Sequence, residues 1–232
     1  MVPFWAFMIG TLVLAPTAPP AFRRALLASS SPADGPKRGT LGELSELART
    51  IAFWDGTAVA AMEAVRWAPL TVVFLIASTW WVKIPLIAVA GACGDMRCRR
   101  RLPTGGLAAL GAGSLASLAV FGLKDFFERA RPPVADPSLD PIGVIPESAS
   151  FPSGHAATAF AAAIAVGMLY PRLRKPLLAL AALIALSRVY LGVHYVTDVI
   201  VGSVLGATIG LASGWAVRRA RAGLTRSVEA AP

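Results

Sequence analysis

The sequence predicts an all-α fold, a polytopic membrane bundle of about six transmembrane helices, and three observations carry that prediction. Of the 232 residues, 56% are hydrophobic and only 15% are charged, where a soluble domain carries about a quarter. The charges are unevenly spread, so that uncharged apolar runs alternate with short polar segments. The basic residues gather in a few clusters between those runs. No polar stretch is long enough for a second compact domain. The chain divides into an apolar segment and polar loop (1–53), a membrane domain (54–217) and a basic cytoplasmic tail (218–232).

The first apolar run, residues 1–22, is uncharged but broken by Pro16, Pro19 and Pro20. It reads as a first transmembrane helix or as a signal-like segment without a basic n-region. Residues 29–50 are polar and rich in turn formers, the pattern of a loop. Residues 54–78 mix apolar side chains with Asp55, Glu63 and Arg66, which suits a helix lying partly at the membrane surface. Residues 80–96 form an apolar run in which Lys83 is expected to snorkel toward an interface marked by Trp80 and Trp81. Residues 107–123 form an apolar span with Gly111, Gly113 and Ser114, small residues that let membrane helices approach closely. Residues 125–152 hold six prolines and read as a loop. Three more helices follow at 156–170, at 177–186 with an extension to 190, and at 196–217.

Orientation follows from three basic clusters: residues 97–101, then Arg172, Arg174 and Lys175, then Arg218, Arg219, Arg221 and Arg226. They fall in alternate loops, so all three can share one side, which the positive-inside rule makes cytoplasmic. Arg23 and Arg24 disagree if residues 1–22 span the membrane. The same loops account for the net charge of +9, and no nucleic-acid motif accompanies it. Cys93 and Cys98 stand beside the first cluster with no further Cys to complete a zinc site, and read as two unrelated thiols.

Ionisable residues inside a membrane domain are functional candidates, and here they form three groups. Lys124 and Arg131 lie seven apart, nearly two helical turns, so both can face one point if the helix persists. Ser153, Gly154 and His155 open a helix after Pro152, where free backbone N–H groups bind anions. Arg188 precedes His194 and Asp198, which are four apart, with Gly192 breaking the chain between. Four apart, His194 and Asp198 are expected to share a helix face, where a carboxylate can fix an imidazole tautomer. Helix parity brings all three groups to one membrane face, opposite the basic loops.

Each group has a plainer reading. Lys124, Arg129 and Arg131 suit a solvated interfacial cluster, and Pro-Ser-Gly suits an ordinary turn and cap. A histidine in an apolar protein is commonly a satisfied core residue, yet the chain's only two histidines both fall in these groups. A metal site built from His155, His194 and Asp198 competes as well. Lys124, Arg131 and Arg188 oppose it, because three cations repel a metal and attract an anion. No metal and no cofactor are expected.

At these residues the chain resembles the type 2 phosphatidic acid phosphatase superfamily of lipid phosphate phosphatases. Its motifs Lys-x6-Arg-Pro, Pro-Ser-Gly-His and Ser-Arg-x5-His-x3-Asp stand in order at residues 124–132, 152–155 and 187–198. The resemblance covers residues 54–217; Val196 stands where many members have proline. It implies a helical, metal-free enzyme in which His194 attacks phosphorus, forming a phosphohistidine. Asp198 would orient His194, and His155 would protonate the leaving oxygen and then activate water. Lys124, Arg131, Ser153, Gly154 and Arg188 would hold the phosphate.

The expected substrate is a lipid phosphate or diphosphate, with an undecaprenyl-type diphosphate first and phosphatidic acid or phosphatidylglycerophosphate next. The expected setting is the plasma (inner) membrane, with the site at the extracytoplasmic face among membrane lipids. No nucleic acid and no protein partner are implied. Two other classes compete: a lipid transporter or flippase that only binds headgroups, and a vanadate haloperoxidase-like oxidoreductase. An oriented nucleophile argues against the first and the membrane setting against the second.

Overall fold

The computed structural model describes residues 40–100 and 102–229, and these are helical with connecting turns. The helices are α1 (Thr40–Ala64), α2 (Ala68–Ser78), α3 (Trp80–Arg97), α4 (Thr104–Phe127), α5 (Pro132–Ala135), α6 (Gly154–Leu169), α7 (Pro171–Tyr190) and α8 (Val196–Glu229). The segment 1–22, Arg23, Arg24 and Arg101 lie outside the described residues, as do the side chains of Trp80, Trp81 and Arg226.

Helix α6 is the centre of the bundle, packed on α4, α7 and α8. Its sequence explains how. Ala156, Ala157, Ala159, Ala161, Ala162, Ala163 and Ala165 are fully buried, so neighbouring backbones come very close. The facing side of α8 is a glycine row. A Cβ on Gly206 would fall on the Ala157 carbonyl oxygen, and one on Gly202 would fall 2.5 Å from the Ser153 carbonyl oxygen.

The large apolar side chains point the other way. Leu107, Leu115, Leu118 and Phe121 on α4, and Val204, Leu211 and Trp215 on α8, are exposed while small residues fill the interior. In water so large an apolar surface would be a liability; in a bilayer it is the lipid-facing side. Two described helical segments, Thr104–Ala135 and Val196–Gly223, are long and apolar enough to cross a membrane. Helix α2 with residues 83–97 of α3 passes the same test as a pair, bent by 67°.

The end of the bundle away from the three chemical groups is closed by a buried polar knot. Asp95 of α3 accepts from the Gly105 N–H of α4 at 2.6 Å and from Arg221 Nη2 of α8 at 2.9 Å. The Tyr170 hydroxyl, from the α6–α7 junction, also bonds Asp95. The described residues of the three basic clusters therefore meet at one end, as helix parity requires.

Several sequence expectations change. Residues 40–50 are helical rather than looped, because Leu44, Leu47, Ala48 and Ile51 recur at helical spacing and Ala48 is buried. Lys83 does not snorkel outward. It is 1% exposed and lies within electrostatic reach of Arg188, inside the bundle. The helix carrying Lys124 does not persist to Arg131. It ends at Phe127, with Glu128 left-handed at φ 47°. Arg131 is extended at φ −74°, ψ 157°, as expected of a residue before proline. Helix α8 runs unbroken from Val196 through the basic residues to Glu229.

Candidate active site

The three groups converge at the end of the bundle opposite the Asp95 knot. Arg131, Ser153, Arg188, His194 and Asp198 are all buried there. Lys124 and Arg131, on either side of the left-handed turn at Glu128, reach the same loop. Lys124 Nζ donates to Ser148 Oγ at 3.0 Å and to the Ala149 carbonyl at 2.6 Å. Arg131 Nε donates to the Ser148 carbonyl at 2.9 Å. One loop thus serves both cations.

His194 sits on the turn after Gly192, whose φ is +74°, two residues ahead of α8. It is therefore not on the same helix as Asp198, although the contact survives. Arg131 Nη1 donates to the Val193 carbonyl at 2.8 Å and lies 3.2 Å from His194 Nε2. A guanidinium has no acceptor, so Nε2 must accept here and the proton of the neutral ring resides on Nδ1. Nδ1 faces Asp198 Oδ2 at 3.5 Å and Ser150 Oγ at 3.4 Å. The nitrogen beside the cations is therefore the one with a lone pair.

Asp198 is fully buried and fully engaged. Its Oδ2 accepts from Ser150 Oγ at 2.5 Å and from the Tyr195 N–H at 2.9 Å. Its Oδ1 accepts from Arg129 Nη1 at 2.6 Å. Arg129 in turn donates from Nη2 to Asp55 Oδ2 of α1 at 2.8 Å. Its guanidinium lies 4.1 Å from the centre of the Tyr195 ring. Asp55 Oδ1 accepts the Thr197 N–H at 3.1 Å in the first turn of α8, where a carboxylate is favoured.

His155, in the first turn of α6, places Nε2 2.9 Å from the Ser78 carbonyl at the α2–α3 break. Lys83, Arg188 and His194 all lie within its electrostatic reach. Arg188 Nε is buried with no hydrogen-bond partner among the described residues, a donor suited to an anion. Ser153 caps α6 by accepting from the Ala156 N–H at 3.5 Å, and its own N–H donates to the Asp198 carbonyl at 3.0 Å. The plainer cap reading is therefore real, and it still leaves the hydroxyl proton to donate. A Cβ on Gly154 would meet Val120 Cγ1 at an ordinary 3.5 Å, so protein packing does not require the glycine.

A pocket of about 700 Å³ opens on the Lys124 and Arg131 side of the site. Lys124, Arg129 and Arg131 line it with the carboxylates of Asp125, Glu128 and Glu147. Among the described residues, no three His, Cys, Asp or Glu side chains gather as a metal site.

The family model of the PAP2 superfamily matches residues 105–222. The chain belongs to the PAP2 superfamily. It is 39% identical over 131 residues to a decaprenylphosphoryl-5-phosphoribose phosphatase of Mycobacterium tuberculosis, covering 54% of this chain and 66% of that protein. It is 43% identical over 75 residues to a lipid A 1-phosphatase of Rhizobium johnstonii, covering 32% of this chain and 30% of that one. Among solved structures, the PAP2-type phosphatidylglycerolphosphate phosphatase of Bacillus subtilis shares the fold at TM-score 0.62 and 24% identity, covering 89% and 97% of the two chains. LpxE of Aquifex aeolicus aligns at TM-score 0.54 and 27% identity, over 67% of this chain and 91% of that one.

The PAP2 match starts at Gly105, and two of the residues that sequence reading passed over, Asp55 and Lys83, precede it. Both carried a signal: a charge on a helix otherwise rich in apolar residues. Ser150 carried none, being one serine in a polar loop. Arg129 was legible only as part of a basic cluster, two residues from Arg131.

Proposed function

We propose that this PAP2 protein is a lipid phosphatase that works through a phosphohistidine without a metal. The observation that carries the reading is the contact of Arg131 with His194 Nε2 at 3.2 Å, with Asp198 on the other ring nitrogen. His194 Nε2 attacks phosphorus in line, and a P–N bond forms as the P–O bond to the lipid breaks. His155 gives a proton to the leaving oxygen, then takes one from the water that cleaves the phosphohistidine. Asp198 supports the positive charge that His194 gains. Lys124, Arg131, Arg188, Ser153 and the Gly154 N–H balance the charge on the phosphoryl oxygens.

In this reading α6 and α7 also cross the bilayer beside α3, α4 and α8, and the site opens at the extracytoplasmic face of the plasma membrane. Substrate choice rests on the pocket. Its cations suit the phosphate to be cleaved. Asp125, Glu128 and Glu147 would repel a second phosphate joined directly to the first, as in a diphosphate, but accept the hydroxyls of a sugar that sets two phosphates apart. A sugar phosphate carried on a polyprenyl phosphate thus moves ahead of an undecaprenyl diphosphate. The Mycobacterium tuberculosis relative is named for such a substrate.

The test is phosphate release by purified protein in detergent. The panel is decaprenylphosphoryl-5-phosphoribose, undecaprenyl diphosphate, phosphatidic acid and phosphatidylglycerophosphate. The first should be released fastest. No release from any of them, with binding retained, would leave a headgroup-binding transporter. Faster release from the diphosphate would overturn the headgroup argument alone.

A further inference from the structure

The ion-pair chain behind Asp198 has an order that sequence motifs do not contain. Asp55, Arg129 and Asp198 alternate in sign, and all three are buried. Arg129 holds Asp55 at 2.8 Å with Nη2 and Asp198 at 2.6 Å with Nη1. Asp55 comes from α1, outside the residues that match the family model. Thr197 braces the Asp55–Arg129 pair, since its hydroxyl accepts from Arg129 at 2.8 Å and its N–H donates to Asp55.

We propose that Asp55 is a positioning residue for His194, acting through Arg129 and Asp198. The proposal rests on the phosphatase reading for its catalytic consequence, but the electrostatic argument stands on the geometry. A guanidinium paired with Asp198 alone would neutralise the carboxylate that has to support charge on the His194 ring. Asp55 takes half of that guanidinium. The triad then carries one net negative charge, and Asp198 keeps its hold on His194. Arg131, Arg188 and His155 face His194 from the other elements, and none of them changes in the variants below. The same carboxylate fixes the start of α8 through Thr197, so it sets both the position and the charge of Asp198.

Asp55→Asn keeps the shape and removes the charge. Arg129→Gln changes the charge in the opposite sense. The chain has two histidines, so ¹⁵N-histidine NMR of the full chain in detergent resolves both, and His194→Ala assigns them. The titration of His194 should move to lower pH in Asp55→Asn and to higher pH in Arg129→Gln. About half a pH unit or more is expected for one charge at an effective dielectric near 20. With a lipid phosphate that the native protein cleaves, Asp55→Asn should lower kcat about tenfold and leave KM within about twofold. The acid limb of its kcat profile should follow the NMR shift. An unmoved His194 titration in Asp55→Asn overturns the proposal, even where kcat falls, because a purely structural loss would lower kcat without that shift. If Asp55→Asn does not fold alone, it is added to Arg129→Gln, where it should bring the His194 titration back down toward the native pH; no return overturns the proposal. If the native protein releases no phosphate, the phosphatase reading fails, and the NMR shifts still decide this one.

Discussion

His155 Nε2 lies 2.9 Å from the carbonyl of Ser78. A carbonyl only accepts, so Nε2 carries a proton. The break between α2 and α3 therefore orients the second histidine, as Asp198 orients the first. If His155 is the general acid, its value depends on the leaving group. His155→Gln retains a donor toward Ser78 and cannot titrate. It should slow phosphatidic acid hydrolysis by about 10²–10⁴-fold. The loss should be much smaller for nitrophenyl phosphate, whose leaving group needs no proton. Single-turnover kinetics isolates the release step. Equal losses for both substrates would leave His155 as a phosphate ligand only.

Metal independence is the expectation that the donor set supports. The Asp198 carboxylate is committed to Arg129, Ser150 and Tyr195, and cations surround the histidines. Phosphate release should survive excess EDTA, and vanadate should inhibit it by occupying the phosphate site. His194→Ala should abolish turnover of every substrate, because no phosphohistidine can form. Loss of activity in EDTA, restored by zinc or magnesium, would reject the metal-free mechanism. Halide oxidation with added vanadate would favour the oxidoreductase class instead.

Sidedness is tested by reporter fusions. The basic clusters share the Asp95 end of the bundle, so a reporter fused after Arg174 should be active only in the cytoplasm. One fused after Ser138, at the active-site end, should be active only outside it. The inverse pattern would place the site at the cytoplasmic face and remove the case for an extracytoplasmic lipid carrier.

The α6–α8 contact is expected to be intolerant of even one methyl group. Gly206→Ala drives a Cβ into the Ala157 carbonyl and should destabilise by about 1–3 kcal/mol, as overpacked cores do. Gly111→Ala is the control, since a Cβ there meets nothing within 4 Å. It should leave the melting temperature in detergent unchanged or raise it. Equal effects of the two would mean that the glycine row does not set the helix spacing.

The sequence by itself determined the helical membrane class and the grouping of Lys124, Arg131, Ser153, Gly154, His155, Arg188, His194 and Asp198 at one end. Apolar runs, basic clusters and helix parity are properties of chain order, and each is written along the chain. What those residues do in catalysis remains the proposal above. Tertiary structure decided the rest. The turn at Glu128 replaced the expected helical register between Lys124 and Arg131, because Pro132 disfavours helix just before it. Lys83 turned inward because its side of α3 faces the bundle. Asp55 came to lie 2.8 Å from Arg129 across 74 residues of chain. No local pattern encodes that pairing. It depends on where α1 docks against α7 and α8, and that follows from the packing of the whole bundle.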